Sequence, residues 1–496
     1  MSDSYDRVRY KSLPLAQTHP DRLATIATLF GIAVAPPAEC RVLEMGCGDG
    51  GNLIPMALGL SGSSFTGIDL AAQAVEQGHA IVNALGLQNI TLLALDLMDA
   101  GPELGEFDYI IAHGVYSWVP ENVRERLLHI CRANLAPRGV AYVSYNAYPG
   151  FHRREMFREM MLYNVHGVED PGDRVRRAIE FIEWLNKCRP ESQLTRALLA
   201  EELHHLTEND WWYVYHDDLA QTNHAEYFHE FVARAREHGL EYLGDADFLE
   251  MQSAIYADST VETLRRFAQG DVVRKEQYLD FIKGRPFRQT LLCRGEAGPE
   301  RSPRPEQLTA LYFASSASPV SAAPDLRAGV WEEFRGPRGA AMRTDDRQVK
   351  TALARLNGTW PQSMQFADLL AEAGGEAEPL AEALLQAYSA GLLEVSILPS
   401  QFTDQAGERP VASPLARLQA REGSMVTTLR HTTAELADEV DRCLVWLLDG
   451  TRDRSAVANA LRLFVRSRAT RGVEPVTAES LEAHLARLAK QALLVA

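Results

Sequence analysis

One short run, Glu44-Met45-Gly46-Cys47-Gly48-Asp49-Gly50-Gly51-Asn52, limits what this chain can fold into more than any other feature. An apolar stretch, Arg41 to Met45, leads into it, and NLIPMALGL, with helical character, follows. Buried strand, tight glycine turn and helix, in that order, open a parallel α/β sheet.

The alternation continues. SSFTGIDL reads as a second strand ending in Asp69, NITLLALDL as a third ending at Asp96, FDYIIAHGVYSW as a fourth and VAYVSYNAYPG as a fifth. Helices AAQAVEQGHAIVNALG and NVRERLLHICRANL lie between them, and Pro137-Arg138-Gly139 reads as a turn before the fifth strand. Ligands of parallel sheets sit beyond the carboxyl ends of the strands. Gly46 to Gly50, Asp69, Asp96, His113 to Trp118 and Tyr145 to Pro149 are therefore expected around one site.

From Phe151 to about Gly239 the pattern is helical and carries Arg153, Arg154, Arg158, Arg174, Arg176 and Arg177, then WWYVYHDDL. GLEYLGDADF and PFRQTLLCR read as two more strands, so the helical block is an insertion before the end of one sheet, placed as a lid. Residues 295–305 are a linker by composition, followed by a weak helix–helix–strand repeat. The predicted architecture is α/β. A seven-stranded Rossmann-like sheet with a helical insertion precedes α+β winged-helix-like modules. Expected boundaries are 1–150 for the first five strands, 151–239 for the lid, 240–295 for the last two strands, and 305–400 and 401–496 for the modules.

Composition narrows the function classes. A hydrophobic fraction of 46% and a charged fraction of 24% over 496 residues are those of an ordinary globular chain. The net charge of −17 argues against a general nucleic-acid binder, which needs a basic face. No apolar run reaches the ~18 residues that span a bilayer, and the polar N-terminus has no signal-peptide core. Six cysteines without CxxC spacing suggest neither zinc nor disulfides, so no metal and a cytoplasmic setting are expected.

The glycine run also speaks to the ligand. A dinucleotide fold brings pyrophosphate to such a turn, but Asp49 stands inside it and Glu44 just before it. Carboxylates repel pyrophosphate and suit a cationic ligand with an amino group and a sulfonium, which favours S-adenosylmethionine (SAM) over NAD. Asp69, about 20 residues on, stands where such folds accept ribose hydroxyls, and Asp96 is in reach of the adenine amino group. Expected cofactor contacts are Glu44, Gly46, Cys47, Gly48, Asp49, Gly50, Asn52, Asp69, Leu70, Asp96, Leu97, His113 and Gly114.

LEMGCGDGGNLIPMA resembles the glycine-rich motif of class I SAM-dependent methyltransferases. THP (Thr18 to Pro20), HGVYSWVP (His113 to Pro120), SYNAYPGF (Ser144 to Phe151), YLDFIKGRPFRQTLLCR (Tyr278 to Arg294), RPVASPLAR (Arg409 to Arg417) and LLDGTRDR (Leu447 to Arg454) are similar to a bacterial branch with a methyltransferase regulatory domain. That branch includes the protein-lysine methyltransferases of rickettsial outer membrane proteins. The resemblance implies a protein or peptide acceptor, with a lysine amine as the leading candidate. Ala147 and Phe151 depart from the Thr and Trp expected of the branch, which bears on local pocket shape.

Methyl transfer needs alignment and a dry pocket, and a lysine acceptor must be neutral at attack. Candidate catalytic residues are Tyr116 and Trp118 as one wall, Tyr145 and Tyr148 as another, Asn146 orienting the nucleophile and His113 accepting a proton. His216 and Asp217, beside Trp211, Trp212, Tyr213 and Tyr215, are candidates to close the pocket, although such aromatic clusters more often pack a core than build a cage. Tyr5 and Tyr10 are candidate cofactor covers or plain anchors, and the arginines of the lid read as a solvated face. Two other readings stand beside the leading one: a small-molecule N- or O-methyltransferase, and a SAM-sensing regulatory protein without turnover. The sequence leaves the oligomeric state open.

Overall fold

The structure, a computed structural model, describes residues 7–188, 194–253, 255–467 and 478–495. Helix α1 (Pro20–Leu29) packs on the sheet ahead of strand β1 (Arg41–Met45), α2 (Leu53–Gly59), β2 (Ser64–Asp69), α3 (Ala72–Leu85), β3 (Ile90–Ala94), β4 (Phe107–Ala112), α4 (Glu121–Asn134) and β5 (Leu135–Tyr148). The inserted helical block, expected from the sequence as a lid, contains α5 (His152–Asn164), α6 (Pro171–Lys187) and α7 (Leu194–Glu208). Then follow β6 (Ala225–Tyr227), α8 (Phe228–Glu237), β7 (Leu240–Asp245), α9 (Asp258–Ala268), α10 (Val272–Lys283) and β8 (Phe287–Arg294).

The sheet runs β3-β2-β1-β4-β5-β8-β7. Strands β1 to β5 pair in parallel and β8 is antiparallel to both its neighbours. The strand order reverses between β1 and β4, which opens the ligand crevice beside the glycine turn. Strand β1 is buried from Val42 to Met45 because helices cover both faces, and that is why it reads as an unbroken apolar run apart from Glu44.

Two expectations change. Strand β6 adds an eighth strand, parallel to β5, inside the segment read as wholly helical; Ala225-Glu226-Tyr227 is too short for a sequence signal. Pro137-Arg138-Gly139 is a bulge within β5, not a turn before it. Pairing with β4 jumps from Phe107↔Leu135 to Tyr109↔Val140, which loops out the proline that has no N–H for the ladder.

The lid has its own apolar core, with Phe157, Met161, Val175, Ile182, Leu199 and Leu206 buried together. Its arginines are used internally more than the solvated-face expectation allows. Arg154 pairs with buried Asp218 at 2.6 Å, Arg153 with Glu201 at 3.0 Å, and Arg158 donates to the Ala220 carbonyl.

Beyond β8, the first module has β9 (Tyr312–Ala314), the strands β10 (Ser318–Pro319), β11 (Glu332–Arg335) and β12 (Ala341–Thr344), helices α11 (Arg347–Thr359), α12 (Phe366–Ala373) and α13 (Ala377–Ser389), and β13 (Met364–Gln365) and β14 (Glu394–Ser396) flanking β9. The second has β15 (Val411–Ala412), α14 (Pro414–Glu422), the hairpin β16 (Met425–Thr427) and β17 (Thr433–Glu435), α15 (Glu439–Leu447), α16 (Arg454–Ser467), α17 (Ala478–Lys490) and β18 (Leu494–Val495). The core does not break at residues 295–305: Leu23, Ile26 and Phe248 belong to one buried cluster with Leu308, Phe313, Leu384 and Tyr388. Tyr388 stacks on Phe248 with ring centroids 4.6 Å apart. Among the described residues, no helix is long and apolar enough to cross a membrane, and all six cysteines are free.

Candidate functional site

The glycine turn leaves β1 with Gly46 at φ +75° and Gly48 at φ +56°, a region that disfavours side chains. Space forbids them as well. A Cβ on Gly46 would stand 2.4 Å from Val115 Cγ2, and one on Gly48 2.4 Å from Ser12 Oγ. Asp69 locks the turn to β2, its Oδ2 accepting from the Gly48 amide at 2.8 Å and its Oδ1 from the Ala71 amide at 2.8 Å. Burial raises the Asp69 carboxyl above its ordinary value. Asp96 lies just past the end of β3 and accepts from the Met98 amide at 2.9 Å. Leu70 is 47% exposed beside Asp69, and Leu97 is half-buried, so apolar surface adjoins both carboxylates.

Two members of the turn differ from their expected role. Asp49 is not an open carboxylate awaiting a cation: Arg9 already pairs with it at 2.9 Å, and the Gly51 amide donates to it at 3.2 Å. Cys47 is 2% exposed, with its sulfur beneath Gly67, so its side chain packs the turn against β2.

Glu44 is the carboxyl that is left without a charged partner. It is buried, and its Oε1 accepts from Asn52 Nδ2 at 2.7 Å. Its Oε2 is buried with no hydrogen-bond partner among the described residues. Burial lifts this carboxyl to about 8, against the help of the Asn52 hydrogen bond. An unmatched buried acceptor at the end of β1 fits a ligand that brings a cationic or hydrogen-bonding group.

Asn52 is the hub behind it. With Nδ2 turned to Glu44 Oε1 and Thr18 Oγ1, its Oδ1 accepts from the Leu15 amide at 3.0 Å and from His431 Nε2 at 2.8 Å. That orientation requires the proton on His431 Nε2. Residues 8–19 therefore strap the turn. Ser12 Oγ donates to the Cys47 carbonyl at 3.4 Å, and a Cβ on Gly51 would stand 2.2 Å from the Ser12 carbonyl oxygen.

The ends of β4 and β5 sort the catalytic candidates. His113 is half-buried and its Nδ1 lies 2.9 Å from the Tyr142 hydroxyl. Tyr142 donates onward to Gln289 Oε1 at 3.0 Å, so His113 Nδ1 carries the proton and Nε2 is left as the acceptor. Burial lowers the His113 pKa to about 4, which keeps the ring neutral. Gly114 is exposed at φ +66°, and its amide donates to Ser144 Oγ at 3.0 Å.

Tyr116 is not a pocket wall. It is fully buried, edge-on to Phe231 at 5.2 Å and 5.9 Å from Tyr145. Tyr145 is equally buried, stacked on Phe231 at 4.2 Å with its hydroxyl on Thr290 at 3.2 Å. Tyr145 falls on the face of β5 that α8 covers, and Tyr116, in the 3-10 turn Tyr116–Trp118 beyond β4, turns into the same helix at Phe231.

Three candidates stay near the strand ends. Trp118 is half-buried, and its indole Nε1 has no partner among the described residues. Asn146 is buried and donates to Asn223 Oδ1 at 2.9 Å, joining β5 to the segment behind the lid. Tyr148 is half-buried, stacks on His152 at 3.8 Å and donates to Glu155 at 3.0 Å. His216 is buried, with Nε2 2.7 Å from the Val8 carbonyl and its ring edge-on to Tyr10 at 5.6 Å. It ties the N-terminal strap to the π-helical turn Val214–Asp218 that follows α7. Tyr10 also meets Trp212 at 5.1 Å, and Tyr5 lies outside the described residues. Asp217 is half-buried, and its carboxyl is pushed up to about 7 by burial and by the neighbouring Asp218 charge.

Sequence reasoning did not find Arg9, Ser12 or His431. Thr18 and His19 lie in the THP motif, which carried a resemblance but no role. A lone histidine 379 positions from its partner leaves no trace in spacing.

Comparison with known proteins adds to this geometry. Residues 43–141 match the family model "Methyltransferase domain", residues 210–294 "Predicted methyltransferase regulatory domain", and residues 408–494 "PKMT, C-terminal winged helix domain". The uncharacterized protein RP789 of Rickettsia prowazekii is 40% identical over 293 residues, which is 59% of this chain and 53% of that protein, so the match spans about half of its length. The uncharacterized protein RP028 of the same organism is 33% identical over 47% of this chain and 94% of its own length. The solved structure of PKMT2 from Rickettsia typhi in complex with AdoHcy is similar over 98% of this chain and 100% of that one, with a TM-score of 0.87 and 26% identity.

Proposed function

The chain belongs to the rickettsial-type class I methyltransferases that carry a methyltransferase regulatory domain, and from that premise we propose that it transfers a methyl group from SAM to a lysine amine of a protein. The observation that carries the cofactor is the glycine turn closed by Asp69 and backed by Glu44, in a chain whose whole length matches a fold solved with AdoHcy. The protein acceptor rests on the likeness to PKMT2 and on the matched winged-helix domain, which small-molecule transfer has no need of.

When bound, SAM supplies an electrophilic methyl on a sulfonium. The residues present fit it. Asp69 and Asp96 offer carboxylates for ribose hydroxyls and the adenine amine, Leu70 and Leu97 offer apolar surface for the ring, and Glu44 Oε2 offers an unmatched acceptor. His113 Nε2 offers an acceptor for the substrate amine's hydrogen, and because the ring stays neutral it adds no repelling charge. Asn146, Trp118 and Tyr148 flank the same strand ends and exclude water around the nucleophile. A lysine entering this partly dry space loses its proton more readily than in water.

The test is incubation with labelled SAM and a bacterial lysate, read on denaturing gels and by mass spectrometry. Base-stable label on discrete protein bands, mapped to lysine, is the expected result. Label confined to small molecules turns the reading to a small-molecule methyltransferase. Calorimetric binding of S-adenosylhomocysteine without any transfer turns it to a sensor.

A further inference from the structure

The hairpin between β16 and β17 does something that a remote regulatory module need not do: it reaches the cofactor turn. His431 sits at its tip at φ +57° and is 6% exposed. The tip is braced from within, with Thr428 N donating to the Thr432 carbonyl at 2.8 Å, the two threonine hydroxyls 2.7 Å apart and the Leu429 amide on the Ala492 carbonyl at 2.8 Å. It is braced from the first module as well, where the Arg430 guanidinium lies 4.0 Å over the Trp360 ring and pairs with Glu394. So held, the His431 ring stands 5.2 Å from the ring of His19 and donates to Asn52 Oδ1 at 2.8 Å.

Asn52 in turn holds Glu44 Oε1 at 2.7 Å, next to the unpartnered Oε2. The first module grips the same short stretch of the catalytic domain. Asp21 Oδ1 accepts the Ile397 and Leu398 amides at 2.9 and 2.8 Å, and Arg22 reaches the Tyr388 hydroxyl at 3.3 Å. Both modules thus converge on residues 19–22, at the end of the strap over the glycines.

We propose that His431 is a positioning residue for the cofactor site, acting through Asn52 on Glu44, so that SAM binding and docking of the C-terminal domain are one linked equilibrium. This rests on the reading of the glycine turn as a SAM site. Without His431, Asn52 Oδ1 keeps the Leu15 amide and Thr18 hydroxyl but loses its shortest donor, so the amide that orients Glu44 is held less firmly. Linkage requires the converse too: cofactor must tighten the docked tip by the same factor.

The experiment compares wild type, His431→Asn and His431→Gln by calorimetry with S-adenosylhomocysteine and by initial rates against SAM. Asparagine tolerates a positive φ but is too short to place a donor at the Nε2 position; glutamine places its amide there. His431→Asn is expected to weaken binding and raise the KM for SAM about tenfold with kcat at saturation retained, while His431→Gln stays within about threefold of wild type. Wild-type affinity in His431→Asn overturns the proposal, and so does an equal loss in both variants, which would mark packing alone. If His431→Asn does not fold, hydrogen exchange of the wild type decides. Slower exchange at residues 428–432 on adding S-adenosylhomocysteine is expected, and no change overturns the proposal. A wild type that binds no S-adenosylhomocysteine removes the SAM reading itself, a result distinct from either.

Discussion

Replacing Glu44 with glutamine is the sharpest single perturbation of this site. The carboxyl titrates near 8 in the folded chain against 4.5 for its ordinary value, because burial disfavours its charged form. Between those values the native chain holds a proton that the unfolded chain has released. Stability therefore falls as pH rises through the window, by about 1.4 kcal/mol per unit and roughly 3 kcal/mol from pH 5 to pH 7.5. Asp21 and Asp245, both raised to about 6, act in the same direction, and His19, lowered to about 4, acts against them. These contributions are common to wild type and variant and cancel in the difference. The glutamine introduced by Glu44→Gln does not titrate, and its N–H₂ takes the place of the O–H that the protonated carboxyl carries at the unpartnered Oε2, so at pH 5 both proteins leave one donor unpaired there. Glu44→Gln should thus melt close to wild type at pH 5 and above it at pH 7.5. The relative shift is about 6 °C, at roughly 2 °C per kcal/mol for a domain of this size. Scanning calorimetry of both proteins without cofactor at the two pH values measures it. Parallel pH profiles would refute the buried, proton-holding carboxyl.

Asp69→Ala should weaken SAM binding by about 1–3 kcal/mol, roughly five- to 150-fold, since it removes a ribose acceptor and frees the Gly48 amide; unchanged affinity by calorimetry would show that the end of β2 does not hold the ribose. Gly46→Ala should abolish cofactor binding, because its Cβ meets Val115 at 2.4 Å, whereas Gly114→Ala, with nothing within 4 Å, should cost only about 1 kcal/mol in a thermal melt; equal effects would contradict the geometry of the turn. Truncation after Arg294 should yield an aggregating fragment, because it bares Ile26 and Phe248 from a core shared with the first module; a monodisperse fragment with full S-adenosylhomocysteine affinity would show that the shared core is dispensable.

The framework of this protein was legible in one dimension because its signals are local. Apolar runs of strand length, helices between them and glycines at fixed offsets need only neighbours in sequence, so β1 to β5, β7 and β8 were readable, as was the place of Asp69 at the end of β2, while its hydrogen bond to the Gly48 amide was not. Period-two geometry was the first limit. Tyr145 and Tyr148 both stand near the end of β5, but which of them faces a core depends on what covers each face, and α8 covers Tyr145 together with Tyr116 from the turn beyond β4. Charge partnership was the second. Asp49 and Glu44 looked alike as acids near glycines, yet Arg9 neutralises one while burial leaves the other with an unmatched oxygen.

By itself the sequence determined a parallel sheet with a glycine-walled crevice, an acidic rim suited to a cationic cofactor, and a chain too long for one domain. Tertiary structure alone decided which residues stand around that turn: an N-terminal strap, His216 bound to the Val8 carbonyl of that strap, and His431 from the far end of the chain on Asn52. The reason is that backbone periodicity is written in neighbouring residues, whereas a buried polar group takes whichever partner the packed domains bring within about 3 Å, at any separation along the chain.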